Sequence, residues 1–272
     1  MLAMELDHTD TLEAIEREGM GDFVRACPAP LARELGVTMQ EVDGVECFAV
    51  RARPRSIMWN HAQGFAEWSP ASESVLDNVV NFYREQKTIG AICLTPRASS
   101  EETMRMLDAH GYEAGYAYRK FVRGTAPAPN AGSPLEVRPA RPQDAHAFAE
   151  IVTTAFETPE SFVPWIAALV GRPRWHCFMA WDGDRPAGAG ALFVHNGAGY
   201  CTFGATHPDA RRKGAQRALL AHRIDAGLRL GCTTFVTETG ETADGVPEQS
   251  YRNILWAGFE RSYIRDNWVP KA

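Results

Sequence analysis

The sequence lacks the paired cysteines and regularly spaced histidines from which metal and redox sites are usually built. None of its six cysteines forms a CxxC pair, and its eight histidines show neither HxxxH nor HExxH spacing. We therefore expect no metal site. Because most of the cysteines lie within apolar, strand-like segments, the sequence predicts buried, reduced thiols.

Long apolar runs and a strong charge of either sign are also missing. No segment approaches the ~18 apolar residues of a membrane-spanning helix, and the N-terminus (MLAMELDHTD) has neither the basic start nor the apolar stretch of a signal peptide. The net charge of -6 provides no basic surface for nucleic acid or an anionic membrane. These absences predict a cytoplasmic protein without nucleic-acid or membrane partners.

One clear boundary divides the chain. Its 272 residues, 45% of them hydrophobic, are enough for two domains of about 130 residues each. Residues 124–134 (GTAPAPNAGSP) combine Pro, Gly, Ala and Ser without apolar periodicity, which is typical of an exposed linker. We therefore expect an N-terminal domain of residues 1–123, this linker, and a C-terminal domain that begins at residue 135 and runs to residue 272.

Strand and helix patterns alternate in both halves. In the C-terminal half, strands are predicted in LEVRPA, WHCFMAWD, AGAGALFVHN, GYCTFGAT, CTTFVTE and RSYIRDNWV, and helices in RPQDAHAFAEIVTTAF, PESFVPWIAALV, residues 217–230 and PEQSYRNILWAGF. In the N-terminal half, strands are predicted in TMQEVDGVECFAVRA, SIMWNHAQGFAEW and IGAICLTP, and helices in SESVLDNVVNFYREQ and EETMRMLDAHGYE. Ser74 with Asp77, and Ser99 with Glu102, are the predicted capping boxes of these last two helices.

The two halves also end alike. LDAHGYE (107–113) and LWAGFE (255–260) both finish with Gly, an aromatic residue and Glu, and each precedes a short basic strand that contains tyrosine. We interpret this similarity as an internal repeat, which predicts a duplicated α/β unit.

The most informative motif is HPDARRKGAQRALL, residues 207–220, where a strand meets a helix. The first N–H groups of a helix form an anion site, and Gly214 followed by Ala215 would let phosphates approach the backbone closely. Arg211, Arg212 and Lys213 would add positive charge. Taken alone, the motif also fits a solvated surface turn, and with one glycine it is a poor dinucleotide site.

The order of these elements resembles the GNAT family of acyl-CoA-dependent N-acetyltransferases. The loop keeps that family's proline, acidic residue, Arg, Lys, first glycine and Ala-Leu-Leu, although Gln216 stands where a second small residue is usual. The last helix keeps Ser250, Arg252, Gly258 and Phe259. The resemblance is strong from residue 134 to about 268 and faint over 35–123, which implies two tandem GNAT-like domains of α/β (α+β) class, the first one degenerate. Each would have a mixed, mostly antiparallel sheet flanked by helices.

This resemblance implies a site for acetyl-CoA or another acyl-CoA. The strand before the loop would splay from the next strand and pair with pantetheine, and the loop amides would hold the diphosphate. The implied cofactor-binding residues are Phe203, Gly204, Ala205, Thr206, Arg211, Arg212, Lys213, Gly214, Ala215 and Gln216. The N-terminal half has no glycine or basic residue at its matching turn (EWSPASESVL), so we expect no acyl-CoA there.

Catalytic residues are harder to identify. The family's usual proton-donating tyrosine is replaced by Ile254, and its usual asparagine by Pro247. Tyr251 and Ser250 are the nearest candidates for an acid, although a packed tyrosine is the alternative. Glu238, at the open end of the splayed strands, is the candidate base.

Tyr200 and Thr202 could also face the site, whereas His195 and His207 fit surface positions better. By resemblance, the aromatic residues Phe156, Phe162 and Trp165 would line an acceptor pocket, but they fit a core stripe equally well.

The resemblance thus implies an N-acyltransferase that acts on an amine of a small molecule or peptide, with homodimer formation left open. A non-catalytic acyl-CoA-binding or regulatory protein is the alternative. A transferase that uses another donor, such as aminoacyl-tRNA, would need a basic groove that the net charge of -6 does not indicate.

Overall fold

The computed structural model describes residues 9–241 and 249–271. The helices are α1 (Thr9–Ala26), α2 (Ala29–Leu35), α3 (Glu73–Gln86), α4 (Glu101–Ala109), α5 (Ala145–Ala155), α6 (Val163–Ala167), α7 (Ala215–Arg229) and α8 (Gln249–Trp256). The strands are β1 (Val37–Val42), β2 (Val45–Val50), β3 (His61–Gln63), β4 (Ala91–Leu94), β5 (Tyr112–Ala114), β6 (Tyr118–Arg123), β7 (Glu136–Pro139), β8 (Trp175–Asp182), β9 (Arg185–His195), β10 (Ala198–Thr206), β11 (Thr234–Gly240) and β12 (Glu260–Pro270).

The chain folds into two compact units. Unit 1 combines the chain up to Pro28 with Lys120–Ser262, and unit 2 combines Ala29–Arg119 with the end of the chain from Tyr263. The two domains expected from the linker at 124–134 differ from these units at both ends of the chain. Helix α1 lies in unit 1, and most of β12 lies in unit 2.

Unit 1 contains a mixed sheet with the order β6, β11, β10, β9, β8, β7. The pairs β7–β8, β8–β9 and β9–β10 are antiparallel, whereas β10 and β11 are parallel. Helix α7, which connects these two parallel strands, buries Leu219 and Ile224 in a core that also contains Phe235 and Phe121. The connecting helix is required because parallel neighbours cannot be joined by a tight hairpin.

Unit 2 contains a smaller sheet with the order β1, β2, β3, β4, β12, and β5 also pairs with β12. Strands β3 and β4 are parallel, and the other pairs are antiparallel. Helix α3 packs Leu76 and Val79 into a core with Phe65 and Ile92. The predicted fold class, a mixed and mostly antiparallel sheet flanked by helices, is confirmed.

Several local predictions for unit 2 were wrong. TMQEVDGVECFAVRA forms the hairpin β1–β2 rather than one strand, because Asp43 and Gly44 both adopt positive φ and reverse the chain. SIMWNHAQGFAEW is mostly turns around β3. The N-caps of α3 and α4 are Ser72 and Ser100, whose side chains accept from the amides of Val75 and Thr103. The capping boxes at Ser74 and Ser99 are therefore each displaced from the real cap.

The six cysteines are all free and buried, as predicted. Burial raises the pKa of the Cys201 thiol to about 11 and that of Cys177 to about 12. Thiols with such pKa values are protonated near neutral pH and behave as small apolar side chains.

Candidate functional site

Strands β10 and β11 diverge in the middle of the unit 1 sheet. Their parallel pairing covers only Ala198–Tyr200 against Thr234–Val236. One residue further along, the Thr237 hydroxyl donates to the Cys201 carbonyl over 2.8 Å, so a side chain meets the backbone where regular pairing would otherwise continue. Both strands run on past this point, β10 to Thr206 and β11 to Gly240. The sheet therefore opens in the direction of the 207–214 loop, as the resemblance implies.

A β-bulge changes the direction of β10 within this opening. In the pairing with β9, Thr202 lies opposite Ala191 but Ala205 lies opposite Ala189, so β10 contains one extra residue. Phe203 adopts φ +51°, a left-handed conformation that is uncommon for an aromatic residue. Bulges of this kind frequently lie beside functional sites because they redirect peptide groups.

The loop after β10 leads to a helix N-terminus with the features of an anion site. A short 3-10 turn (Pro208–Ala210) follows the strand, and Gly214, with φ +81°, precedes the first residue of α7. No side chain caps this end of α7, and its first turn contains no acidic residue. The basic residues 211–213 are all exposed. Uncapped amides beside exposed cations favour a bound phosphate group.

Gly214 is required by both its conformation and its surroundings. A Cβ at this position would lie 3.3 Å from Ser133 Cβ. The Ser133 hydroxyl in turn donates to the Lys213 carbonyl over 2.8 Å, and the Lys213 ammonium pairs with Asp182 over 2.5 Å. These contacts hold the loop in place, and none of them uses the first backbone amides of α7.

The Gln216 side chain turns back toward β10 rather than outward. Its Nε2 donates to Thr206 Oγ1 over 2.9 Å, and its Oε1 lies 2.8 Å from where a Cβ on Gly204 would be. Gln216 therefore links the first turn of α7 to the strand edge, and it fits there only because residue 204 is glycine.

Glu238 belongs to a buried charged cluster that the sequence did not reveal. The Lys120 ammonium donates to both Glu16 and Glu238, and the Tyr200 hydroxyl donates to Glu238 Oε1 over 3.1 Å. Lys120 and Glu16 are almost fully buried, while the Glu238 side chain is 20% exposed. The cluster lies at the end of the β10–β11 pairing, because Tyr200 is the last paired residue of β10 and Glu238 follows Val236 by two positions.

The other two catalytic candidates lie elsewhere. Tyr251 is 8% exposed and packs edge-on against Phe121 with ring centroids 5.0 Å apart, inside the core. Ser250 Oγ lies 2.7 Å from Thr239 Oγ1 in an exposed pair. Ile254 is buried in the same core, and Pro247 lies outside the described residues. The surroundings of Tyr251 favour the packing interpretation over a role as acid.

Of the three aromatic residues proposed for an acceptor pocket, two are buried and one is exposed. Phe162 and Trp165 are fully buried and stacked, with ring centroids 5.8 Å apart. Trp165 also stacks on Phe23 at 4.4 Å and donates from Nε1 to the Phe23 carbonyl. Phe156 is 40% exposed. The first two rings therefore form a core stripe that anchors α1, and only Phe156 remains accessible.

Asp22 fixes α1 to the segment before β8. Its carboxylate accepts from Arg172 Nε at 2.5 Å, Arg174 Nη2 at 2.7 Å and Trp175 Nε1 at 2.9 Å. Burial by itself raises the pKa of Asp22, but the hydrogen bonds from Arg172, Trp175 and Arg174 outweigh it and lower the pKa from 3.8 to about 2. This contact holds the helix that contributes Glu16.

Replacing Asp22 with Asn is expected to lower the free energy of unfolding by up to about 2 kcal/mol at neutral pH, since the native pKa of Asp22 is well below its unfolded value. The carboxylate stabilises the fold above pH ~4, and this contribution is lost as the pH falls toward 2. Urea unfolding at pH 7 and pH 3 tests this. The Asp22→Asn deficit should shrink at pH 3, and an equal deficit at both pH values would contradict it. Asp184→Asn, on an exposed turn, is the matched control.

Among the described residues, no group of three or more His, Cys, Asp or Glu side chains could hold a metal ion. None of the described helices has the length and apolar character needed to cross a membrane.

The acetyltransferase (GNAT) domain family matches residues 140–243. A GCN5-related N-acetyltransferase from Kribbella flavida is 14% identical, with TM-score 0.68, over 99% of this chain and 97% of that one. A GCN5-related N-acetyltransferase from Sphaerobacter thermophilus is 16% identical, with TM-score 0.63, over 84% and 78%. A tandem GNAT protein from the clavulanic acid biosynthesis pathway is 14% identical, with TM-score 0.59, over 83% and 77%.

No curated protein sequence is significantly similar to the chain. The solved structures are less than 20% identical to it, so they show the fold alone. Residues 140–243 thus match the GNAT acetyltransferase domain, and the chain shares its fold with solved GNAT structures. The domain match supports an acyl-transfer function, and acyl-CoA is the donor that the GNAT family generally uses.

Proposed function

We propose that the protein is an acyl-CoA-dependent N-acyltransferase whose single donor site lies in unit 1. The observation that carries this proposal is the combination of three features along one path. These are the opening between β10 and β11, the bulge at 202–205, and the uncapped N-terminus of α7 behind Gly214. An extended, amide-bearing pantetheine arm with a diphosphate at one end matches this sequence of features.

The donor would be held mainly by backbone groups. The first amides of α7, including those of Ala215 and Gln216, would bind the diphosphate, with Arg211 and Arg212 adding charge at the exposed rim. The edge of β10 from Phe203 to Thr206 would pair with pantetheine. Because the Gln216 side chain is hydrogen-bonded to Thr206, it sets the distance between the diphosphate site and the pantetheine-binding edge of β10.

Glu238 is the proposed base for the acceptor amine. Its carboxylate lies where the strands part, keeps some exposure, and is oriented by hydrogen bonds from Lys120 and Tyr200. An amine must lose a proton as it attacks a thioester, so an oriented carboxylate at this point is what the reaction needs. The acceptor itself, a small-molecule or peptide amine, is defined only by this requirement.

Unit 2 is proposed to be a degenerate GNAT-like domain without a donor. Its helix α3 begins with a serine cap, since Ser72 accepts from the Val75 amide, and Glu73 lies in the first turn. Both features oppose a bound diphosphate, because one amide is already satisfied and the nearby charge is negative. Helix α7 of unit 1 lacks both features.

The test is acetyl-CoA binding by calorimetry together with thiol release over a panel of primary amines and peptides. Glu238→Gln should bind acetyl-CoA within about twofold of the wild type but turn over at least about 100-fold more slowly, the usual range for losing a general base. Glu136→Gln, at a residue whose side chain is 68% exposed, is the control. Unchanged turnover in Glu238→Gln would exclude it as the base.

One observation favours the alternative of a non-catalytic acyl-CoA-binding protein. Ile254 occupies the usual tyrosine position and is buried in the core, and Tyr251 is packed beside it. Tight acetyl-CoA binding without thiol release for any amine in the panel would support this alternative.

A further inference from the structure

Arg223 is a buried cation in the middle of α7. It is 3% exposed, and all its hydrogen-bond partners are backbone carbonyls. Nε donates to Leu219 over 3.2 Å, and Nη1 donates to Ala191 over 3.4 Å and to Thr202 over 3.1 Å. Among residues 9–241 and 249–271, no carboxylate pairs with it.

Two strand glycines make room for this guanidinium. A Cβ on Gly190 would lie 3.1 Å from Arg223 Cζ, and a Cβ on Gly204 would lie 3.5 Å from Arg223 Nη2. A side chain at either position would push into the guanidinium or into Gln216, which lies beside it. The space for Arg223 is therefore a feature of β9 and β10 as well as of α7.

An unpaired buried charge is costly to the fold. Desolvating a cation costs several kcal/mol, and hydrogen bonds to neutral carbonyls offset only part of this cost. Replacing a buried charge with an apolar residue of similar volume is often neutral or stabilising. Burial lowers the pKa of Arg223, but a guanidinium stays protonated in proteins. Packing alone does not account for an arginine here.

The position of Arg223 beside the β10 bulge does account for an arginine there. Thr202 and Ala191 are the last residues of β10 and β9 in register before the bulge, and the same nitrogen, Nη1, contacts both carbonyls. Arg223 thus fixes the point at which β10 leaves regular pairing. Beyond that point lies the strand edge, Phe203–Thr206, to which the donor site is assigned.

We infer that Arg223 is a positioning residue that holds the β10 bulge and supplies a fixed positive charge beside the strand edge to which the donor is assigned. This inference rests on the proposed function. In the reaction, the amine nitrogen forms a bond to the thioester carbonyl carbon and gives up a proton to Glu238. The carbon–sulfur bond then breaks, and sulfur leaves with the electron pair as a thiolate.

Negative charge therefore appears first on the carbonyl oxygen and then on sulfur. A preorganised cation in a dry region stabilises such charge more in the transition state than in the ground state. This role is independent of a tyrosine acid, which Ile254 cannot provide.

The test compares Arg223→Met and Arg223→Lys with the wild type, using acetyl-CoA as donor and hydroxylamine as a general acceptor. Arg223→Met should keep the acetyl-CoA dissociation constant within about threefold, lower kcat for thiol release about 100-fold, and leave Tm unchanged or higher. Arg223→Lys, which retains the charge, should stay within about tenfold of the wild-type kcat. Without donor, amides 203–205 should exchange hydrogen faster in Arg223→Met. Arg229→Met, exposed on the same helix, should match the wild type throughout.

Wild-type kcat and unchanged hydrogen exchange in Arg223→Met would overturn the inference while leaving the proposed function intact. Parallel losses of Tm, affinity and kcat would also overturn it, since they would show a purely structural role. If Arg223→Met does not fold, Arg223→Lys decides, and a 100-fold loss there would count against the charge. A wild-type protein that does not bind acetyl-CoA would overturn the proposed function and this inference together.

Discussion

Gly214→Glu is expected to weaken acetyl-CoA binding by at least about 100-fold, which corresponds to roughly 2.7 kcal/mol. The substitution has three unfavourable effects at one position. A side chain at φ +81° is strained, its Cβ would press on Ser133 at 3.3 Å, and its carboxylate would stand before the amides that receive the diphosphate. Calorimetry with acetyl-CoA measures the result.

The other end of the same helix offers a matched control. Gly231 has nearly the same conformation, φ +82°, and a Cβ there would have no neighbour within 4 Å. Gly231→Glu therefore carries the same backbone strain and the same added charge, but at the C-terminus of α7. It should bind acetyl-CoA as the wild type does. Equal affinity losses in both variants would attribute the effect to strain, and an unaffected Gly214→Glu would exclude the loop as the diphosphate site.

Lys120→Met is expected to lower the free energy of unfolding by about 3–5 kcal/mol, because removing one partner of a buried ion pair leaves an uncompensated charge. Here Glu16 and Glu238 both lose the ammonium that lies between them. For a domain of 150–250 residues, such a loss corresponds to a fall in Tm of roughly 6–20 °C. Thermal unfolding of the full chain measures it.

Two further variants sharpen this prediction. Lys271→Met removes an exposed pair with Asp108, in which the two side chains are 43% and 69% exposed, and it should cost less than about 1 kcal/mol. Combining Lys120→Met with Glu16→Gln should restore part of the lost stability, because one buried carboxylate then no longer carries charge. A Lys120→Met variant as stable as the wild type would show that the cluster does not depend on its cation.

The donor half of the proposed site follows from the sequence because its signals are local. A strand, a loop led by Pro208 and a glycine before a helix are adjacent in the chain, and the structure places β10, Gly214 and α7 in that order. The helix predicted for 217–230 differs from α7 by two residues at its start. The conformation of Gln216 was not predictable, because it depends on the room left by Gly204 across the strand edge.

The charged cluster depends on long-range contacts that no local pattern encodes. Glu16 and Lys120 are 104 residues apart in sequence, and Lys120 and Glu238 are 118 apart. Helix α1 was itself missed, because it contains two glycines and buries the acidic residues Glu13, Glu16 and Asp22. Buried acids in place of apolar residues hide the usual helical pattern.

The division into domains shows a similar limit. The linker at 124–134 is visible from composition, but composition does not show that α1 belongs to unit 1 and most of β12 to unit 2. The repeated Gly-aromatic-Glu motifs at Gly111 and Gly258 are both real turns with positive φ, 78° and 81°. Which unit receives the strand after each motif is decided by tertiary packing.

Titration of the full chain with acetyl-CoA by calorimetry tests the central claim most directly. We expect binding of one acetyl-CoA per chain, weakened at least about 100-fold by Gly214→Glu and unchanged in Gly231→Glu. Two molecules per chain would contradict the assignment of unit 2 as a domain without a donor. No binding by the wild type, or wild-type affinity in Gly214→Glu, would contradict the donor site at the N-terminus of α7.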